Sequence, residues 1–140
     1  MRTALLTAIR SLAIADTEQP FTEAMTSVHP VTGDKSYRFY AWEAPQDNEL
    51  PFAVTYIVSD TDTGVIGARK AYIEWQLNIF TEYLTQGNDL AERCKELFDR
   101  QRLCANTKSF TCTYTSTVGP MRSDDTEPFQ TIVIFSSFGS

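Results

Sequence analysis

The feature that most constrains this chain is a two-residue rhythm after Gly67. Ile73, Trp75, Leu77 and Ile79 fall on one side, and Glu74, Gln76 and Asn78 fall on the other. Successive side chains of a strand point to opposite faces, so this pattern describes a sheet with one buried face and one wet face. Such a face needs a covering layer, and two stretches at helical spacing supply it. Leu5, Ala8, Ile9, Leu12 and Ala13 form the first stripe, and Leu90, Cys94, Leu97, Phe98 and Gln101 form the second. The expected fold is therefore α+β. It comprises a largely antiparallel sheet of four to five strands with two helices on one face, in the order α-β-β-β-α-β-β.

Local signals place the boundaries. The first helix should end near Asp16, with Pro20 as a stop signal. Thr17 to Ser36 is rich in Thr, Ser, Pro and Glu without a period, and reads as a long surface loop with a contact role. Tyr37 to Trp42 and Phe52 to Ser59 are aromatic and β-branched, hence strands, and Asp60 to Gly64 reads as a turn between strands. Asn88 is the expected cap of the second helix, with Asp89 and Glu92 in its first turn. Phe110, Cys112, Tyr114 and Ser116 alternate with threonines as another strand. Val118 to Pro128 is an acidic loop, and Phe129 to Phe135 is the last strand. No repeat or linker divides the chain, so residues 1–140 are expected to form a single domain.

Charge and composition narrow the function. Twelve Lys and Arg against eighteen Asp and Glu give a net charge of −6. A nucleic-acid binder needs a basic footprint to displace counterions, and the cluster Arg93, Lys95, Arg100 and Arg102 is explained by helix-surface charge. No apolar run approaches the roughly 18 residues of a membrane span. Met1-Arg2 before an apolar stretch resembles a secretory signal, but Arg10 interrupts it, so an intracellular start is expected. Cys94, Cys104 and Cys112 are odd in number and contain no C-x-x-C pair, which points to buried thiols. A Cys104–Cys112 bridge stays open on sequence.

The residues that could carry chemistry do not assemble into a mechanism. His29 is the single histidine, and no nucleophile elbow accompanies it. Asp60-Thr61-Asp62-Thr63-Gly64 starts like a calcium loop but has Gly64 at the fifth position and Ala71 at the twelfth. Asp124, Asp125 and Glu127 cluster, yet Ser123 and Thr126 around them indicate a solvated loop rather than an acid–base pair. Gly33-Asp34-Lys35-Ser36 lacks the glycine spacing of a phosphate loop. The expectation is no catalytic residue, no metal and no cofactor.

Three segments resemble one family, the tail-completion proteins of long-tailed bacteriophages, also called tail terminators or tail-to-head joining proteins. Ala44-Pro45-Gln46 followed by Leu50-Pro51-Phe52-Ala53-Val54-Thr55-Tyr56 is similar to that family's Ala-Pro-Gln, spacer, Leu-Pro-Tyr-Val-Val-Tyr stretch. Trp75-Gln76-Leu77-Asn78-Ile79-Phe80 resembles its alternating strand with a central Gln, and Leu90-Ala91-Glu92 its following helix. Specific residues match only between about Tyr37 and Phe98, and the Thr17–Ser36 and Val118–Pro128 loops are longer than the family's.

The resemblance implies a virion protein assembled in the host cytoplasm. It would form a homohexameric ring at the head-proximal end of the tail, stop tube polymerisation and present a surface to the neck. Its partners would be further copies of itself, the tail tube protein and a neck or head-completion protein. DNA would pass through without specific binding, because acidic loops repel phosphate. No membrane is involved. Expected contact residues are Trp42, Asp60, Asp62, Gly64, Gly67, Asp124, Asp125 and Glu127. Trp42 is a candidate anchor because interfaces favour Trp, whereas Trp75 is read as core. The rival readings are a small dimeric ligand-binding or regulatory module, and an enzyme using His29 or the acidic loop.

Overall fold

The computed structural model describes residues 2–15, 26–28, 30–44, 49–65, 68–105 and 108–139. Its elements are α1 (Arg2–Ile14), β1 (Thr26–Val28), β2 (Lys35–Tyr37), β3 (Phe39–Ala41), β4 (Phe52–Val65), β5 (Ala68–Thr81), α2 (Leu84–Phe98), β6 (Arg102–Ala105), β7 (Lys108–Met121) and β8 (Phe129–Gly139). The α+β class holds. The strand number does not: β1 and β2 form a separate antiparallel pair, and the main sheet has six strands in the order β3-β4-β5-β8-β7-β6. The pairing of β3 with β4 is parallel, and the other pairings of that sheet are antiparallel.

The sheet curls. Its two outermost strands, β3 and β6, both pack against α1, while α2 packs against the central β5, β8 and β7. One apolar cluster joins Leu5, Leu6, Ile9 and Ala13 of α1 to Leu90, Cys94 and Phe98 of α2 and to the inward sheet face. Ile73, Trp75, Leu77 and Ile79 are all fully buried there, as their rhythm requires. Trp75 stacks on Phe135 with ring centroids 4.5 Å apart and meets the edge of Phe98 at 5.4 Å. Its indole N–H donates to Ser137 Oγ at 2.8 Å, so the buried donor has an acceptor.

Several boundaries differ from expectation for physical reasons. Part of the Thr17–Ser36 segment read as loop is the β1–β2 pair; residues 16–25 and His29 lie outside the described residues. The strand read over Tyr37–Trp42 divides at Arg38. Arg38 is buried, donates from Nε to the Pro51 carbonyl at 2.9 Å and accepts the Ala53 N–H at 2.9 Å. Asp60 to Gly64 is not a turn: β4 continues to Val65 in pairing with β5, because ladder hydrogen bonds outweigh the turn preference of Asp and Gly.

The second helix begins at Leu84 after Tyr83, not at Asn88. A Cβ added to Gly87 would stand 3.0 Å from Thr131 Oγ1 and 3.1 Å from Thr81 Oγ1, so this glycine marks close helix–sheet packing rather than a turn. The helix ends at Phe98, which leaves Gln101 beyond its stripe and exposed. Strand β7 runs to Met121, so the acidic loop begins only at Arg122. A bulge between Tyr114 and Ser116 turns Ser116 away from the core face and opposite Ile134. All three cysteines are free; Cys94 and Cys112 are buried, but Cys104 is exposed.

Candidate functional site: assembly surfaces

The expected contact residues separate onto different parts of the fold. Asp124, Asp125 and Glu127 lie together in the loop between β7 and β8 and are exposed. Asp60, Asp62 and Gly64 lie at alternate positions of β4, opposite Ile73, Ala71 and Arg69 of β5. The loop borders the Phe129 end of β8, paired with Thr81, whereas Ser137 pairs with Ile73. At about 3.3 Å per residue, eight residues of β5 set the two groups roughly 26 Å apart along the strands. Gly67 lies outside the described residues.

The acidic loop is ordered by its own carboxylate. Asp124 Oδ1 accepts the Thr126 N–H at 2.7 Å and the Thr126 hydroxyl at 2.5 Å, and its carbonyl accepts the Glu127 N–H at 3.2 Å. The hydroxyl and then the N–H of Thr126 hold the Asp124 carboxyl below the ordinary 3.8. That is the opposite of the upward shift a general acid needs. Arg122 lies over the Phe129 ring at 4.5 Å and pairs with Asp125 at 3.3 Å. Beside them, Leu50, Glu82, Tyr83, Leu84 and Phe129 line an open groove of about 560 Å³.

The outward sheet face is depleted of charge. Across β4, β5, β8 and β7 the register aligns Phe52, Phe80, Gln130 and Met121, then Val54, Asn78, Ile132 and Val118, then Tyr56, Gln76, Ile134 and Ser116. The next row brings the first carboxylate, Glu74. Gln76 Nε2 donates to Tyr56 Oη and, at 2.9 Å, to Asn78 Oδ1, so the polar groups satisfy one another. Fully buried interface centres show the same depletion of charge and the same use of aromatics.

Among the described residues, two other than glycine hold the left-handed backbone region, Trp42 at φ 71° and Arg100 at φ 64°. For an L side chain that conformation costs about 1–2 kcal/mol. Trp42 follows β3 at one edge of the sheet, where its N–H donates to the Thr55 carbonyl at 2.9 Å. It is 46% exposed, in contrast to the fully buried Trp75. Arg100 stands at the other edge, its N–H donating to the Cys112 carbonyl at 2.8 Å. Composition singled out Trp42, but nothing in the sequence distinguished Arg100, because its backbone angle follows from how α2 meets β7. Among the described residues, no group of three or more His, Cys, Asp and Glu side chains could hold a metal. No helix among the described residues is long and apolar enough to cross a membrane.

No family model matches the chain, and no curated protein matches it. Its fold is similar to that of a chain in the virion of a native gene transfer agent particle. The TM-score is 0.69 at 10% identity, over 99% of this chain and 96% of the other. At that identity the likeness is one of fold.

Proposed function

We propose that this chain is a virion structural protein of a tailed, phage-like particle. In this reading it forms a homohexameric ring that ends the tail tube at its head-proximal side and joins it to the neck. The observation that carries this is the end-to-end fold likeness to a chain of a gene transfer agent virion. The tail-completion motifs at Ala44–Tyr56 and Trp75–Phe80 point to the same part of the particle. The work of such a protein is geometric. Residues 1–140 act as one assembly unit without a catalytic group, copies join by heterologous contacts into a closed ring, and its two faces meet different partners.

The carboxylate groups at either end of the β4–β5 arm suit two ring faces. One face, near Asp124, Asp125 and Glu127, meets one of the tail tube protein and the neck or head-completion protein. The other, near Asp60, Asp62 and Gly64, meets the second. A net charge of −6 per copy lets DNA pass without adhering.

Particles assembled without this chain test the proposal. They should carry tubes of unregulated length that do not join heads, and electron microscopy would measure both. Tubes of normal length attached to heads would reject the terminator role.

A further inference from the structure

Trp42 and Arg100 are both held in a backbone region that glycine occupies without cost. Arg100 directly follows Asp99, the residue that closes α2, at the position helices most often give to glycine. Strain of this kind, imposed by the surrounding structure, clusters at functional sites. Neither side chain has a task among the described residues of its own chain. Among the described residues no ring or cation packs on the Trp42 indole, and no carboxylate or ring engages the exposed Arg100 guanidinium. Each has an exposed charged neighbour: the carboxylate of Glu43 beside Trp42, and the guanidinium of Arg102 close to Arg100.

The two residues sit at opposite edges of one sheet, Trp42 after β3 and Arg100 before β6. A guanidinium over the face of an indole is a favourable pair, and Trp and Arg dominate the binding energy of interfaces. We propose that Arg100 of one copy lies on the Trp42 ring of the next, with Arg102 of the first copy paired to Glu43 of the second. The occupant of each edge is thus a second copy of this chain, chosen by charge complementarity. Because the two patches differ and lie on different edges, the contact is heterologous, the kind that closes rings rather than twofold dimers. The inference rests on the ring reading above and names the contact that closes it.

The test uses the full chain as wild type, as Trp42→Ala, as Arg100→Gly, and as an equimolar mixture of the two variants. Native mass spectrometry and sedimentation would follow each sample with and without the particle's tail tube protein. Arg100→Gly relieves the backbone, so its folded monomer should melt no lower than wild type, which separates a lost contact from a lost fold. The wild type should form rings, and each variant alone should associate at least about thirtyfold more weakly, the loss typical of a dominant interface residue. The mixture should recover a one-to-one heterodimer, since Arg100 of the Trp42→Ala chain meets Trp42 of the Arg100→Gly chain. Wild-type rings with both variants assembling equally well would overturn the contact and leave the ring standing. Variants that fail alone and fail together would also overturn it. A wild type that stays monomeric or forms only a twofold dimer in every sample would overturn the ring and the contact together.

Discussion

Ser137→Ala isolates one buried hydrogen bond at the centre of the sheet. Ser137 is fully buried, and its Oγ accepts the Trp75 indole N–H at 2.8 Å while lying 3.1 Å from Cys112 Sγ. The substitution removes the acceptor but leaves the indole N–H inside a dry core. An orphaned buried donor costs about 1–3 kcal/mol. Taking about 2 kcal/mol and roughly 3–5 °C per kcal/mol for a chain of this size, the melting temperature should fall by about 6–10 °C.

The decisive arm repeats the substitution in a Trp75→Phe background. Phenylalanine keeps a ring against Phe135 and Phe98 but has no N–H to orphan. There Ser137→Ala should cost no more than about 0.5 kcal/mol, what remains of a weak contact with the Cys112 thiol. The coupling between the two positions should thus be about 1–2 kcal/mol. Urea unfolding of all four proteins, followed by far-ultraviolet circular dichroism, gives the cycle directly. An equal cost of Ser137→Ala in both backgrounds would refute the assignment of that cost to the indole donor.

Three other outcomes follow from the same structure. Gly119 has φ +93°, and an added Cβ would stand 2.6 Å from the Gln130 carbonyl oxygen. Gly119→Ala should therefore cost about 2–4 kcal/mol in urea unfolding. Gly33→Ala, at φ +75° with nothing within 4 Å, should cost only about 1–2 kcal/mol, and equal costs would contradict the packing described. With a thiol reagent the native chain should react rapidly at Cys104 alone. Burial raises the thiols of Cys94 and Cys112, so they should react only on unfolding; fast labelling at either would contradict their placement. Thr126→Val should bring the Asp124 carboxyl part of the way back up toward 3.8, as read by carboxyl-carbon NMR titration. Because that carboxyl is depressed in the fold, its contribution to loop order is present at neutral pH and lost as pH falls through its folded value. An unchanged titration midpoint in Thr126→Val would exclude Thr126 as the cause.

The parts of the fold legible in sequence were those written in long periodic runs. The rhythm from Ile73 to Ile79 identified its buried face correctly, and the α1 stripe identified Leu5, Ile9 and Ala13. Short strands carry no period, so β6 with four residues escaped notice, and the division at Arg38 between β2 and β3, three residues each, lay hidden within one expected strand. Bulges defeat alternation: those at Ile57/Ser59 and Tyr114/Ser116 shift the facing of everything beyond them. Asn88 reads as a cap because Asp89 and Glu92 follow it, yet α2 already begins at Leu84, and Gly87 serves close packing against Thr131. The candidate site was legible only as residue types. Trp42 and the acidic loop could be named, but their separation, the charge-poor outer face and the strained Arg100 depend on register and on the meeting of distant segments.

In the proposed function, copies of this chain close into a sixfold ring at the end of a tail tube. Native mass spectrometry of the purified full chain, alone and mixed with the tail tube protein of the same particle, tests it most directly. A sixfold species is expected in at least one of the two samples, with no prominent dimer accumulating beside it. A stable twofold dimer in both samples would contradict the ring and leave the dimeric ligand-binding reading as the one to pursue.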